Sequence, residues 1–186
     1  MTPDLEAAYA RPHRRYHTRR HIEACLGLLD QWPEIPERER RLLTWAIWWH
    51  DAIYDPRASD NEDRSAELAR RELPHLGAMP DEVEEVARLI RLTAGHQVAE
   101  DDRLGAVMVS IDLAILATPP PVYDAYARAV REEYDHVPDQ AWRAGRAAVL
   151  QRFLDGPVIF PHPGFRDAHE AQARANLARE IETLRS

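Results

Sequence analysis

"WAIWWHDAIYDPRASDNED", residues 45–63, joins an apolar half to an acidic half, and His50 and Asp51 lie at the junction. A helix that only filled a core would not need a histidine and an aspartate at its end. Upstream, from residue 36, acids precede the apolar residues, which is typical of the first turn of a helix. We therefore predict a helix over residues 36–54 that carries this His-Asp pair to the edge of a core.

The rest of the chain also favours helices, because apolar residues recur at helical spacing and strand signals are nearly absent. The expected fold is all-α, with about seven to nine helices. The other predicted helices cover residues 3–10, 17–31, 60–73, 79–96, 103–117, 119–137, 138–156 and 166–184. The length predicts one domain over residues 1–186. We expect its core at about residues 16–120, with the C-terminal helices of residues 121–186 packed on it.

The composition narrows the classes of partner. A net charge of -8 argues against an extended nucleic-acid-binding surface. No apolar run approaches the ~18–20 residues of a membrane span, and the first residues lack the apolar stretch of a signal peptide. We therefore expect a cytoplasmic protein without a membrane partner. The composition is compatible with a homo-oligomer as well as with a monomer. The single cysteine, Cys25, excludes a disulfide framework and is expected to be a small core residue.

Ionisable residues stand on the apolar faces of three predicted helices. Apolar residues lie three, four and seven positions before His50, so they share its face of the helix. Asp112 is the only charged residue between residues 107 and 117. His21 lies at the edge of the apolar stripe of its own helix. Burying an unpaired carboxylate costs free energy, so buried charges are paired or bind metal. Buried arginines would satisfy the aspartates in one reading, and a metal ion would do so in the other.

The metal reading explains the set as a whole. His21, His50, Asp51 and Asp112 would point inward from three helices and form a cluster of two histidines and two aspartates. Imidazole and carboxylate together suit a divalent transition metal such as Mn, Fe, Co, Ni or Zn. Neighbouring residues at a helix end differ by ~100° in direction, so His50 and Asp51 can both reach one ion beyond that end.

The order of these residues resembles the H…HD…D signature of the HD-domain superfamily of metal-dependent phosphohydrolases. The chain looks most like the bacterial branch described as predicted HD-superfamily phosphohydrolases. The resemblance covers most of the chain and is carried by the strings YHTRRHI (16–22), WWHDAIYDP (48–56), DNEDRSAELA (60–69), SIDLAIL (110–116) and ARANLARE (173–180).

The resemblance implies an HD-type helical domain in which His21, His50, Asp51 and Asp112 hold the metal. His17 is an alternative to His21 and would otherwise lie at the rim of the site. The implied activity is hydrolysis of a phosphomonoester or phosphoanhydride, with a nucleotide as the expected small phosphorylated substrate. In the stringent-response nucleotide hydrolases of this superfamily a Glu-Asp pair follows the HD pair; here Tyr54 and Asp55 stand in those places, so only the aspartate matches.

Two acids after the HD pair are candidates for the catalytic base. Asp55 is the first candidate because it lies one turn after Asp51, and Glu62 is the second. Each also has a structural reading. Asp55 in the string YDP suits a turn, and the string DNED, residues 60–63, suits the start of the next helix.

Cations near the first ligand would bind phosphate. Arg14 and Arg20 flank His21 within RPHRRYHTRR, residues 11–20, although such a run can also be a solvated face. His96 is expected as a phosphate contact or as a ligand of a second metal, for which Mg is a candidate. It also suits a histidine at a helix C-terminus.

Further predictions concern the architecture of the chain and alternative functions. Arg174 and Asn176 on the last helix are expected to tie that helix to the first long one. A different class of function is a sensor or scaffold that binds metal or nucleotide without turnover. A third class is a plain helical interaction protein whose buried histidines and aspartates satisfy one another.

Overall fold

The computed structural model describes residues 3–32 and 34–186, and within these ranges the protein is all-helical, with nine α-helices and no strand. The predicted all-α fold class is confirmed. Contacts divide the described residues into two compact units, with the boundary after Asp112. The 3₁₀ turn Leu113–Ala117, predicted to belong to the core, therefore groups with the C-terminal helices. The single-domain organisation stays a prediction.

The first unit contains six α-helices around one apolar core. Three residues of the third helix, Leu43, Ala46 and Ile47, are fully buried, and each large aliphatic side chain there contributes ~1.5–3 kcal/mol by burial. The helices are α1 (Pro3–Tyr9), α2 (Arg19–Leu29), α3 (Glu37–Trp49), α4 (Asn61–Glu72), α5 (Pro80–Gly95) and α6 (Arg103–Asp112), with a 3₁₀ turn at Leu73–Leu76.

Helix α3 ends at Trp49, five residues before its predicted end at Tyr54. A longer helix would require the Asp55 amide to donate to the carbonyl of Asp51. That amide instead donates to Oδ1 of Asn61 at 3.0 Å, and the Asp51 carbonyl accepts from Arg14 at 2.7 Å. The chain therefore leaves the helix just where the His-Asp pair begins.

Helix α6 is an apolar core helix with one charge at its end. All residues from Gly105 to Ile111 are buried, in keeping with a segment that is apolar almost all round. The predicted helix over 103–117 is divided, because the α-helix ends at Asp112 and continues only as a 3₁₀ turn. Within the described residues no single helix is long and apolar enough to cross a membrane; the segments 103–117 and 120–133 would qualify only as a bent pair.

The second unit contains the 3₁₀ turn and the helices α7 (Pro120–Glu133), α8 (Asp139–Asp155) and α9 (Pro163–Arg185). Helix α9 begins three residues earlier than its predicted start at Arg166. His162 caps it, since its Nδ1 accepts from the amide of Phe165 at 3.3 Å, and Pro163 occupies the first turn, where no amide donor is needed.

Arg174 and Asn176 have the predicted architectural role, but with different partners. Asn176 is buried and its Nδ2 donates to the carbonyls of Leu116 and Thr118 at 2.9 and 2.8 Å. Arg174 donates to the carbonyls that follow α8, including that of Gly156 at 3.0 Å. The expected tie to the first long helix was wrong in its partner, because these bonds lie within the second unit.

Replacing Asn176 with leucine should lower the free energy of unfolding by about 1–3 kcal/mol, because two carbonyls lose their donor. Urea denaturation followed by circular dichroism measures this change. Thr183→Ala, at an exposed position of the same helix, is the control and should change stability by no more than about 0.5 kcal/mol. Equal effects of the two substitutions would contradict the anchoring role of Asn176.

Candidate metal centre

The His-Asp pair lies at the C-terminal end of α3. His50 occupies the C-cap position, and its ring is fixed because Nδ1 donates to the carbonyl of Ile47 at 2.9 Å. The other nitrogen, Nε2, lies 3.2 Å from Oδ2 of Asp51. The two residues differ in direction but reach the same point, as expected for neighbours at a helix end.

Helix α2 brings a second imidazole to this point. His21, in its first turn, is buried, and its Nε2 lies 3.2 Å from Nε2 of His50. Its other nitrogen, Nδ1, lies 3.0 Å from the hydroxyl of Tyr16. Both histidines therefore have Nδ1 engaged by a neighbour and Nε2 directed into the cluster.

The last residue of α6 supplies the second carboxylate. Oδ1 of Asp112 lies 3.2 Å from Nε2 of His21 and 3.4 Å from Nε2 of His50. The four residues predicted as ligands are thus brought together from three helices. Their function as metal ligands stays a prediction.

The donor set fits a divalent transition metal. His21, His50 and Asp51 each offer one ligand atom, and these atoms lie within 4.8 Å of one another. Asp112 adds a carboxylate in contact with both imidazoles. Metal-bound histidines usually donate their second ring nitrogen to a carbonyl or a similar group, and His50 does so through Ile47.

His96 joins the cluster through Asp112. Its Nε2 lies 3.2 Å from Oδ2 of Asp112, the oxygen opposite the one that meets the other histidines. His96 ends α5 in the left-handed region at φ 55°, which is uncommon for a residue other than glycine. This backbone conformation turns the chain at the end of α5, where the imidazole meets the cluster.

The charges of the cluster stabilise one another. Burial lowers the pKa of His50, but the carboxylates of Asp51 and Asp112 outweigh burial and raise it well above its usual value. Burial would raise the pKa of both carboxyls, but the neighbouring histidines, His50 foremost, outweigh burial, so both pKa values lie below the ordinary range. Burial, reinforced by the two aspartates, raises the pKa of the Cys25 thiol well above its usual value, so Cys25 is a neutral core residue as expected.

These shifts predict how the stability of metal-free protein depends on pH. Protonated His50 stabilises the fold below about pH 6.5, and this contribution is lost as the pH rises through its raised pKa. Ionised Asp51 and Asp112 stabilise it above about pH 4, and that contribution is lost as the pH falls through their lowered pKa values. Metal-free protein should therefore be most stable between about pH 4 and 6.5.

Bound metal should reverse the slope on the alkaline side. A metal must displace the proton of His50, so binding strengthens as the pH rises. Thermal unfolding with a chelator and with added Zn, at several values between about pH 5 and 9, measures both slopes. Parallel curves with and without metal would contradict a site at this cluster.

Arg14 does not have the surface position that a phosphate-binding residue needs. It is buried, and its guanidinium donates to the carbonyls of His17, Asp51 and Ala52 at 2.9, 2.7 and 3.0 Å. Both terminal nitrogens of the guanidinium already donate to these carbonyls, so the predicted role of Arg14 as a phosphate contact is not supported. The sequence reading of a solvated face is also wrong for this one arginine.

The other predicted substrate contacts lie at the surface or the rim. His17 is half-buried and stacks on Tyr54, with ring centroids 4.1 Å apart. It contributes to the lowered pKa of Asp51, which agrees with a position at the rim of the cluster. Arg20 is exposed one residue before His21. Tyr54, three residues after Asp51, is itself buried.

The two candidate bases have different surroundings. Asp55 is exposed, and its Oδ1 accepts from the amide of Arg57 at 2.9 Å, which is a turn arrangement. Glu62 is half-buried in the first turn of α4 and makes no hydrogen bond or ion pair with the described residues. One turn later, Ser65 bonds the amide and carbonyl of Ile53, so this face of α4 meets the segment that follows the HD pair.

An open groove of about 650 Å³ on α4 and α5 does not involve the cluster. Its lining charges are all in ion pairs, some within the groove, such as Arg70 with Glu84 and Arg88 with Glu85, and some with residues beside it, such as Arg91 with Asp63. Charges that neutralise each other leave little attraction for a charged ligand, so this groove is a salt-bridged surface.

Tyr16 is the residue that sequence reasoning did not single out. It precedes α2, so no helical periodicity relates it to His21. Its place beside the first ligand follows from the way the chain enters the helix, and only the neighbouring string YH could have drawn attention to it. No protein-family model, curated protein or solved structure matches this chain.

Proposed function

We propose that this protein is a metal-dependent phosphohydrolase that cleaves a phosphomonoester or phosphoanhydride, with a nucleotide as the expected substrate. The observation that carries the proposal is the convergence of His21, His50, Asp51 and Asp112 at one buried point. Burying ionisable groups costs free energy unless they are paired or bind metal. In this cluster the imidazoles and carboxylates pair with one another, and the same atoms could bind a metal ion. A cytoplasmic location belongs to the same proposal.

The four side chains would hold Mn, Fe, Co, Ni or Zn, and Mg is a candidate for a second site. When bound, the metal supplies Lewis acidity toward a phosphoryl oxygen and lowers the pKa of an adjacent water. The chain's own part is to present two imidazole nitrogens without protons. The carbonyl of Ile47 accepts Nδ1–H of His50, which leaves Nε2 of that ring free to bind.

Substrate phosphate would be met by cationic groups at the rim. His17 and Arg20 stand close to the first ligand in sequence, and His96 contacts Asp112. Developing negative charge on a phosphoryl group requires such donors. With Arg14 engaged by carbonyls, these three residues are the remaining candidates from the predicted set.

Glu62 is the better candidate for the base. Its carboxylate has no partner among the described residues, whereas the carboxylate of Asp55 holds a turn. Glu62 and Ser65 are three residues apart and so share a face of α4. Ser65 contacts the backbone of Ile53, two residues after Asp51, which directs this face toward the ligand-bearing segment.

A sensor or scaffold without turnover is the second candidate. The mutual stabilisation of His50 with Asp51 and Asp112 favours it, because the cluster does not depend on substrate for its stability. The same observation suits a helical interaction protein that binds no metal. Metal content and turnover separate the three classes.

The first experiment is metal analysis of protein purified without added metal and after incubation with Mn, Fe, Co, Ni or Zn. About one equivalent per chain supports both the enzyme and the metal-binding sensor. Absence of metal under every condition would exclude both.

The second experiment measures phosphate release from a panel of nucleotides and phosphomonoesters by metal-loaded protein. Release that depends on metal and is lost in His50→Ala supports the hydrolase. Metal binding without release from any member favours the sensor. Release that survives His50→Ala would place the reaction elsewhere.

A further inference from the structure

The segment between α1 and α2 contains the arginine-rich string, and the proposed function leaves its buried part unused. Two side chains of this segment, Arg14 and Tyr16, contact groups that belong to the metal cluster. One reaches the backbone that carries Asp51, and the other reaches the ring of His21. These contacts suggest that Arg14 and Tyr16 hold residues of the cluster in place.

Arg14 holds the chain just after α3. Its guanidinium donates to the carbonyls of Asp51 and Ala52 at 2.7 and 3.0 Å, and to that of His17 at 2.9 Å. These two carbonyls lie just beyond the end of α3 and have no helical donor, and a buried carbonyl that lacks a donor costs free energy, so the bonds from Arg14 are favourable. The guanidinium also lies over the rings of Tyr9 and Tyr54, 5.0 and 5.5 Å from their centroids.

Tyr16 acts on the other histidine. Its hydroxyl lies 3.0 Å from Nδ1 of His21, and the two ring centroids are 4.9 Å apart. A histidine that binds metal through Nε2 carries its proton on Nδ1, and a hydroxyl oxygen can accept that proton. Tyr16 thus holds the ring of His21 through Nδ1, as the Ile47 carbonyl holds that of His50, although a hydroxyl can donate as well as accept.

We propose that Tyr16 and Arg14 are positioning residues that set the metal site before metal binds. Tyr16 orients the ring of His21 through its bond to Nδ1, and Arg14 fixes the backbone of Asp51 against the segment that leads into α2. The inference rests on the proposed metal site. It reassigns Arg14 from substrate contact to the support of ligands, and Arg20 and His17 stay the proposed phosphate contacts.

Tyr16→Phe tests the first half, because it removes one oxygen and keeps the ring. Affinity for Zn and Co, measured by competition with a chelator, should fall by ~10–100-fold, as for other outer partners of metal-bound histidines. The visible spectrum of the Co-loaded protein should also change, which a general loss of stability would not cause. Tyr123→Phe, which removes a buried hydroxyl bonded to Glu180, is the matched control and should leave affinity and spectrum unchanged.

Arg14→Lys tests the second half, because lysine keeps the charge but cannot donate to three separated carbonyls in the same fork. Affinity should again fall while circular dichroism keeps its helical signal. Arg88→Lys is the control, since Arg88 also makes several bonds in the first unit, and its partners among the described residues are Glu85 and Asp102.

The outcomes separate this inference from the proposed function. Wild-type protein that binds no metal would overturn the proposed function and the inference with it. Wild-type protein that binds metal, with Tyr16→Phe and Arg14→Lys no weaker than their controls, would overturn the inference alone. Weaker binding with an altered Co spectrum in Tyr16→Phe supports it, even if Arg14→Lys folds poorly.

Discussion

Asp51→Asn should remove the bound metal almost completely. Asparagine keeps the size of the side chain but loses its charge. Replacing a residue that binds the metal directly should lower the affinity by more than the ~10–100-fold seen for residues that only contact a ligand. The metal content of purified protein should fall from about one equivalent to a small fraction, as measured by elemental analysis after dialysis. The loss should accompany disappearance of metal-dependent thermal stabilisation.

Asp102→Asn is the matched control for this substitution. The side chains of Asp51 and Asp102 are 15% and 16% exposed, and both carboxylates have cationic partners. Asp102 pairs with Arg88 and not with the cluster, so its loss should reduce stability and leave metal content unchanged. Full metal content in Asp51→Asn would remove this residue from the site.

Glu62→Gln should lower kcat for phosphate release by ~10²–10⁴-fold if Glu62 is the base, since that is the usual contribution of a positioned acid or base. Glutamine keeps the shape of the side chain but cannot accept the proton. Metal affinity should stay at the wild-type value, because Glu62 is not one of the four proposed ligands. Steady-state kinetics and a metal titration on the same preparation separate the two effects.

Asp55→Asn is the comparison that decides between the two acids. Asparagine can still accept the amide of Arg57 through its carbonyl oxygen, so the turn should persist. We expect kcat within a few-fold of wild type, on the order of surface effects. A large loss in Asp55→Asn with normal kcat in Glu62→Gln would restore Asp55 as the base, the order that chain position alone favours.

The sequence alone identified the all-α fold and the four residues that meet in the cluster. Helical periodicity is local, so Asp112 as the one charge on an apolar helix and His50 on an apolar face are visible without coordinates. The His-Asp pair was also predicted to lie at a helix end, although α3 stops earlier than expected. These conclusions depend on neighbours within a few turns of the same helix.

The tertiary structure decided the surroundings of those residues. The carbonyls that Arg14 binds after α3 lie 37 and 38 residues away in sequence. The sequence alone therefore could not decide whether Arg14 contacts phosphate or is buried and bonded to the backbone. The contact of His96 with Asp112 depends on a left-handed turn at the end of α5. The difference between Asp55 and Glu62 likewise depends on which carboxylate already has a partner.

The physical reason is the range of the interactions. Apolar periodicity and helix ends are set by residues within about four positions, and they determine which faces are buried. The hydrogen-bond partners of long side chains such as Arg14 and Tyr16 depend on which donors and acceptors the folded chain brings near them. The sequence therefore determined the candidate ligands, and only the folded chain decided what holds them in place.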